Sequence, residues 1–189
     1  MTFVAICFLN STYAQTIFPI EKGNFLGGGK GRLSFSSQQL EEKYKETSIM
    51  VRPGFGYFLQ DKWAVGINLN FENTKIKVGD VEQGKSIDFG GGIWTRYYFL
   101  PKSKRTNFFG EAGFNMGGNK LDDEDRINYS GFNVGLYMVH FINEHIAFEI
   151  GVDYYSKKYE DEDEPINKMG VSAGFQMHFT KKKKTNPSR

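Results

Sequence analysis

The strongest constraint on this chain is a series of eight segments in which apolar and polar residues alternate with a period of two. Such alternation is typical of a β-strand with two unlike faces. Each segment is about 11–15 residues long, against about 5–6 for an ordinary strand and about 9–11 for a tilted strand that crosses a bilayer. The segments are roughly 23–36, 47–59, 63–75, 85–99, 107–118, 128–142, 145–157 and 167–179.

The third segment shows the two faces most clearly. Large apolar side chains on one face oppose small or polar ones on the other: Trp63, Val65, Ile67, Leu69 and Phe71 against Ala64, Gly66, Asn68, Asn70 and Glu72. A strand face in water is expected to be rich in charged residues, whereas small polar residues suit the narrow lumen of an eight-stranded barrel. We therefore expect the apolar face to contact lipid. A soluble lipocalin-like barrel, with its apolar face inside, is the alternative that alternation alone leaves open.

The breaks between the segments differ in length from one end of the strands to the other. Short or intermediate breaks alternate with long, charged ones: 60–62, 100–106 and 143–144 against 37–46, 76–84, 119–127 and 158–166. Outer-membrane barrels have short periplasmic turns and longer extracellular loops. The pattern therefore predicts an all-β, eight-stranded antiparallel up-and-down transmembrane β-barrel with both termini in the periplasm.

Aromatic residues gather near the short-turn ends of the segments. Aromatic side chains are enriched where a membrane protein crosses the bilayer interface. We therefore predict an aromatic girdle formed by Tyr57, Trp63, Tyr97, Phe99, Phe108, Phe141 and Phe179.

Several charged residues fall on the face predicted to line the lumen. They are Arg32, Arg52, Arg96, Asp88, Glu111, Glu149 and Asp153. Because an isolated buried charge is very unfavourable, these groups are expected to pair. We predict a salt-bridge plug in which Arg52 and Arg96 neutralise Glu111 and Glu149. A gated ion path along these charges is the functional alternative, although the bulk of Phe58, Trp94 and Tyr155 argues against a wide channel.

The N-terminus resembles a secretory signal. Residues 3–9 are apolar, and Thr12 and Ala14 supply the small residues of a cleavage site, although no basic residue precedes the apolar run. We predict a cleaved signal peptide at 1–14, a barrel domain at 15–180 and a basic periplasmic tail at 181–189. The protein is accordingly expected in the outer membrane of a Gram-negative bacterium.

The closing segment completes a family resemblance. Residues 170–179, GVSAGFQMHF, end on an aromatic residue. Together with the strand number and the alternation of the breaks, this resembles the small outer-membrane β-barrels of the OmpA transmembrane-domain and OmpX type found in Bacteroidetes-like bacteria. The resemblance implies partners in outer-membrane lipid and the barrel assembly machinery, and leaves any partner of the extracellular loops unidentified. The tail after Phe179 departs from the family, whose members often end at the terminal aromatic residue.

The residues give little support for catalysis or cofactor binding. The formal net charge is +2, which offers no case for nucleic acid. Cys7 is the single cysteine, and His140, His145 and His178 do not form a cluster with metal-ligand spacing. We therefore expect no cofactor, no metal and no catalytic residues. The leading hypothesis is a non-enzymatic outer-membrane protein that acts through charged loops; a narrow channel and a lipid-modifying enzyme are the alternatives.

Overall fold

A computed structural model of the chain describes residues 18–39, 43–78, 81–121 and 127–180. The described residues form eight β-strands: β1 (Phe25–Gln39), β2 (Lys43–Gln60), β3 (Trp63–Val78), β4 (Val81–Tyr98), β5 (Thr106–Leu121), β6 (Ile127–Phe141), β7 (Ile146–Tyr159) and β8 (Ile166–Phe179). No helix among them is long and apolar enough to cross a membrane. The predicted signal peptide and the basic tail lie outside the described residues.

The strands close into a single barrel. Each strand pairs antiparallel with the next, and β1 pairs with β8 from Phe25 opposite Phe179 to Ser34 opposite Gly170. Closure gives every strand two neighbours and leaves no sheet edge to be desolvated in a bilayer. The predicted eight-stranded antiparallel barrel is confirmed.

The strands are longer than the alternation predicted at one end of the barrel. The expected long breaks at 37–46 and 76–84 are mostly β-structure, because β1 and β2 pair as far as Gln39 opposite Lys43 and β3 and β4 as far as Val78 opposite Val81. The boundaries at these breaks were therefore wrong. The physical reason is that a two-stranded ribbon beyond the bilayer has water on both sides, so its sequence need not alternate between apolar and polar.

The two faces of the barrel have opposite character. Large apolar side chains cover the outside, where Ile67 and Ile93 are each 63% exposed. On the same two strands, Asn68 and Arg96 point inward and are each 6% exposed. An apolar exterior around a polar interior is the arrangement of a transmembrane barrel. It excludes the soluble lipocalin-like alternative, in which the faces are reversed.

A short segment before β1 covers the mouth of the barrel at the short-turn end. Residues 18–24 run across this opening, and the backbone amides of Phe18 and Lys62 donate to the carbonyls of Lys102 and Ile20 at 2.9 Å each. Phe18 and Ile20 are buried. We call residues 18–24 the mouth segment. The alternation did not predict it.

Candidate functional site in the barrel lumen

Two basic and two acidic side chains form a cluster in the half of the lumen nearer the short turns. We call Lys30, Arg96, Glu111 and Glu149 the inner charge cluster; all four are buried. Glu111 accepts from Lys30 Nζ at 2.5 Å and from Arg96 Nη2 at 2.7 Å. Arg96 Nη1 also lies 3.3 Å from Glu149 Oε2, and Gln176 donates a further hydrogen bond to Glu149. Charge-assisted contacts of this kind make the burial of four ionised groups tolerable.

A layer of amides crosses the middle of the lumen. We call Asn68, Asn70, Asn115 and Asn133 the asparagine layer. Asn115 Oδ1 accepts from Asn68 and Asn70 at 3.0 and 2.8 Å, and Asn115 Nδ2 donates to Asn133 Oδ1 at 2.9 Å. The bonds from Asn68 and Asn70 join β3 to β5, which are not neighbours in the sheet, and the bond to Asn133 adds β6. The layer therefore ties β3, β5 and β6 together through the barrel interior.

A second charge cluster lies in the half of the lumen nearer the long hairpins. We call Arg32, Glu72, Asp88, Asp153 and Lys157 the outer charge cluster. Lys157 Nζ contacts Asp88 Oδ2 at 2.5 Å and Glu72 Oε2 at 3.0 Å, while Arg32 lies 3.3 Å from Asp153 and 3.5 Å from Glu72. Aromatic rings complete the environment, since Lys157 Nζ is 4.6 Å from the ring centroid of Tyr129. Every member of the cluster thus has at least one oppositely charged neighbour.

The structure places all seven of the charged residues predicted for the lumen on the inward face. Arg96 contacts both carboxylates that it was expected to neutralise. Arg52 is only half-buried, and its Nε donates to Asn70 Oδ1 at 2.8 Å. Lys30 is the second cation on Glu111.

The predicted charge network lacks three members of these clusters, Lys30, Glu72 and Lys157, although Glu72 is on the polar face predicted for the third segment. Glu72 and Lys157 share the inward parity of Asn70 and Tyr155, so the two-residue period contained the signal. Lys30 lies in the glycine-rich part of β1, where the lack of side chains obscures the alternation. With these three added, five buried carboxylates lie among four buried cations and half-buried Arg52.

Aromatic rings close the lumen between the inner charge cluster and the short-turn end of the barrel. We call Phe58, Tyr98, Phe109 and Phe141 the aromatic base; each has no exposed surface. Tyr98 and Phe109 have ring centroids 5.2 Å apart, and Phe18 of the mouth segment stacks on Phe141 at 4.6 Å.

The position of Phe141 corrects one prediction. Phe141 was assigned to the lipid-facing girdle, but it points into the barrel because odd-numbered residues of β6 face inward. The other six girdle positions lie on the outward face: Tyr57, Trp63, Tyr97, Phe99, Phe108 and Phe179.

An ion-pair cluster outside the barrel wall fastens the mouth segment. Lys102 Nζ lies 2.7 Å from Glu21 Oε1 and 2.8 Å from Asp61 Oδ2, and the Lys22 backbone amide donates to Asp61 Oδ1 at 3.0 Å. The hydrogen bonds from Lys102 and Lys22 hold the pKa of Asp61 below its usual value. In return, Asp61 and Glu21 raise the pKa of Lys102. Asp61 is exposed and Lys102 and Glu21 are half-buried, so water screens these ion pairs and the cluster positions the segment more than it stabilises the fold.

The lumen has little free volume. A cavity between the inner charge cluster and the asparagine layer, lined by Arg52, Trp94 and Glu111 among others, measures about 30 Å³. This is about the space of one water molecule in the liquid. Within residues 18–39, 43–78, 81–121 and 127–180, no group of three or more His, Cys, Asp and Glu side chains has the geometry of a metal site.

Comparison with known proteins identifies the family. The model of the outer membrane protein beta-barrel domain matches residues 4–179. The chain belongs to this family. Membership, together with the closed barrel, makes it an outer-membrane β-barrel protein. Sequence comparison with the curated proteins finds no match.

Two solved structures share the fold of this family member. One is the outer membrane protein OprG from Pseudomonas aeruginosa, with 18% identity and a TM-score of 0.56 over 88% of this chain and 100% of that one. The other is Neisserial surface protein A (NspA), with 13% identity and a TM-score of 0.56 over 82% of this chain and 97% of that one. At these identities the likeness concerns the fold alone.

Proposed function

We propose that this protein is a closed, non-enzymatic outer-membrane barrel that acts through the β-hairpins it extends from the cell surface. The observation that carries the proposal is the occupied lumen. Two charge clusters, the asparagine layer and the aromatic base lie one above another along the barrel axis, and the mouth segment covers the periplasmic end.

The clusters argue against conduction because a passing ion would have to separate buried ion pairs. Removing one partner of a buried pair is unfavourable by about 3–5 kcal/mol. An ion crossing this lumen meets such pairs at Lys157 and again at Glu111, with the asparagine layer between them. Below these, the buried rings of Phe58 and Phe109 offer a permeating ion no polar ligand.

The surroundings of the three histidines argue against catalysis. His178 Nε2 lies 2.9 Å from Gln176 Oε1, and His140 Nδ1 lies 2.9 Å from Thr106 Oγ1. His145 Nδ1 lies 3.1 Å from the carbonyl oxygen of His178. In the described part of the chain, none of the three has a carboxylate partner. The triad arrangement, a base held by a third group and set against a nucleophile, therefore has no support here.

The hairpins supply the surface through which the protein would act. The last apolar outward residue of the β3–β4 ribbon is Ile87, which stands opposite Asn73, and β3 continues to Val78. Five further residues at about 3.3 Å each extend the ribbon roughly 15 Å past the apolar band. The β1–β2 ribbon continues similarly to Gln39 and Lys43. Because the backbone of a paired ribbon is already ordered, a partner that binds it loses less conformational entropy than one that binds a loose loop.

Conductance in a planar lipid bilayer tests closure directly. We expect the refolded protein to insert without producing current steps, with an open porin as the positive control. Reproducible steps would establish the narrow channel instead. The lipid A profile of a deletion strain tests whether the barrel is non-enzymatic. An unchanged mass spectrum is expected, and loss of an acyl chain or headgroup modification would establish a lipid-modifying enzyme.

We also propose that the protein is exported by a signal peptide cleaved after Ala14. The mass of the protein from outer-membrane fractions tests this. A chain beginning at Gln15 is expected, and an uncleaved chain in that fraction would contradict the assignment.

A further inference from the structure

We propose that a row of lysines on the outward face, on the long-hairpin side of the apolar band, binds the phosphate groups of outer-leaflet lipids. The row consists of Lys75 on β3, Lys85 on β4 and Lys120 on β5, and we call it the lysine row. All three side chains are exposed. The inference requires only that the barrel lies in a membrane and does not depend on the proposed function.

The register of the strands brings these side chains together. Lys75 stands directly opposite Lys85, and Lys120 stands opposite Ile87, two residues from Lys85 on the same face. Directly opposed side chains in an antiparallel pair have Cβ atoms about 4.5–5.5 Å apart, and diagonal neighbours lie about 7–8 Å apart. Like charges at such spacing repel. An anion between them would turn that repulsion into attraction.

The register places further lysines on strands near the row. Lys45 on β2 stands opposite Lys77 on β3, and Lys77 also stands opposite Glu82 on β4. In β7, Lys158 is the outward residue nearest the hairpin and is exposed. Among the described residues, Lys75, Lys120 and Lys158 take part in no ion pair.

The position of the row relative to the apolar band identifies the class of ligand. Ile87 is 59% exposed on the lipid-facing surface, one outward step from Lys85 and directly beside Lys120. Two outward steps from Lys75 and Lys85, toward the short turns, Phe71 and Phe89 face each other with ring centroids 5.0 Å apart. A molecule that covers both surfaces has acyl chains against the rings and a negative headgroup against the lysines. Long lysine side chains reach such a headgroup readily.

A crevice beside the row has the same two-part character. It measures about 590 Å³ and lies between β5, β6 and β7, where Met116 and Gly117 form its apolar part and Ser130 and Lys158 belong to its polar part. Asn128 and Glu160 also line it, and Asn128 Nδ2 donates to Glu160 Oε2 at 3.1 Å. A headgroup with hydroxyl and phosphate groups finds hydrogen-bond donors here next to an apolar surface. This favours a lipid over an acidic protein segment as the occupant.

The cations at the opposite end of the barrel provide a contrast. Lys102 is held between Glu21 and Asp61, and Lys62 donates to the carbonyl of Phe99 at 3.3 Å while lying over the ring of Tyr97. These side chains are engaged within the protein, whereas Lys75 and Lys120 point to the place where headgroups of the outer leaflet lie. Phosphate selectivity should therefore belong to one end of the barrel.

Lipid selectivity in reconstituted membranes tests the proposal. The full chain is placed in phosphatidylcholine vesicles, and electron spin resonance compares the association of spin-labelled phosphatidic acid with that of spin-labelled phosphatidylcholine. We expect the wild-type protein to prefer phosphatidic acid, whose phosphate is anionic and carries no choline, and high salt to weaken this preference. One lysine near an anionic lipid surface is worth roughly fivefold in binding. The triple variant Lys75→Gln, Lys85→Gln, Lys120→Gln should therefore lower the relative association constant by about fivefold or more.

A matched variant at the other end of the barrel distinguishes the effect of the lysine row from the effect of net charge. Lys22→Gln, Lys62→Gln, Lys104→Gln removes the same charge, and we expect it to keep the wild-type preference. Inorganic phosphate that replaces chloride at constant ionic strength should leave the preference unchanged. The proposal is overturned if wild type does not distinguish the two lipids, if both triple variants lose selectivity equally, or if inorganic phosphate abolishes it. Heat-modifiable gel mobility checks that each variant is folded, and the salt dependence of the wild-type preference needs no variant.

Discussion

Replacing Glu111 with glutamine removes the charge at the centre of the inner charge cluster. In the native lumen Glu111 binds two cations, with Lys30 Nζ at 2.5 Å and Arg96 Nη2 at 2.7 Å. Arg96 retains Glu149 at 3.3 Å after the substitution. Lys30 retains the ring of Tyr137, whose centroid is 4.1 Å from Nζ, but no carboxylate of the described residues within ion-pair distance.

The expected loss of stability follows from these contacts. Removing one partner of a buried ion pair destabilises by about 3–5 kcal/mol. Glutamine keeps the shape and an acceptor oxygen, and one of the two cations keeps a second partner. We therefore expect the lower end of that range, about 3 kcal/mol. With a urea m-value of about 2 kcal/mol/M, the unfolding midpoint should fall by about 1.5 M.

Urea titration of the protein refolded into lipid vesicles measures this effect. The folded fraction can be followed by the mobility difference between boiled and unboiled samples. The double variant Glu111→Gln, Lys30→Met removes both charges. Its loss of unfolding free energy should therefore be about 2 kcal/mol smaller than the summed losses of the two single variants. Glu160→Gln, on an exposed turn, is the control and should change stability by less than about 0.5 kcal/mol. A Glu111→Gln midpoint equal to wild type would refute the idea that the lumen charges are buried and paired.

Three further perturbations have expected outcomes. Gly66→Ala would place a Cβ against the ring of Trp94 in the lumen, so the urea midpoint should fall by the equivalent of about 1–3 kcal/mol. Phe18→Ala should lower stability in the same titration by about 3 kcal/mol, and should leave the bilayer current at zero because the charge clusters remain. Asp61→Asn should destabilise by at most about 1 kcal/mol near pH 7, because the ion pair with Lys102 is exposed. The folded pKa of Asp61 is lowered, so this difference should be complete above its usual pKa of 3.8 and vanish as pH falls through the folded value.

Each of these has a control or a contradicting result. Gly29→Ala is the match for Gly66, since its added Cβ has no atom nearer than 3.5 Å, and it should be nearly neutral. Current steps from Phe18→Ala would mean that the mouth segment alone keeps the barrel closed. If the stability difference between Asp61→Asn and wild type grew as the pH fell, the prediction that ionised Asp61 stabilises the folded state would be wrong.

The barrel could be predicted from the sequence because a bilayer imposes a strict pattern on its strands. Between Trp63 and Phe71 every second residue must be apolar to face lipid, so the strand and both of its faces can be read directly. The same rule placed Arg32, Glu111 and Asp153 in the lumen. Which charge pairs with which depends on strand register and shear, and no local pattern records these. That is why Lys30, not Arg52, came to be the second partner of Glu111.

The rule fails where the environment is the same on both sides of a strand or where there is no strand. The β3–β4 ribbon beyond Lys75 has water on both sides, so its sequence resembled a loop. The mouth segment is irregular, and the burial of Phe18 depends on Phe141, which is distant in sequence. Phe141 lies near a strand end, which is typical of a girdle residue, but the two-residue period of β6 places it on the inward face.

The two tryptophans of the chain offer the most direct test of a lipid-facing exterior around a filled lumen. Trp63 points outward and is 38% exposed, whereas Trp94 points into the lumen and is 9% exposed. Trp94→Phe and Trp63→Phe leave one fluorophore each, to be quenched in vesicles by brominated lipid and by aqueous acrylamide. The account predicts that Trp63 is quenched by brominated lipid and that Trp94 is protected from both quenchers. Acrylamide quenching of Trp94 in the folded protein would demonstrate an open aqueous lumen, and quenching of Trp94 but not Trp63 by brominated lipid would show that the faces are reversed.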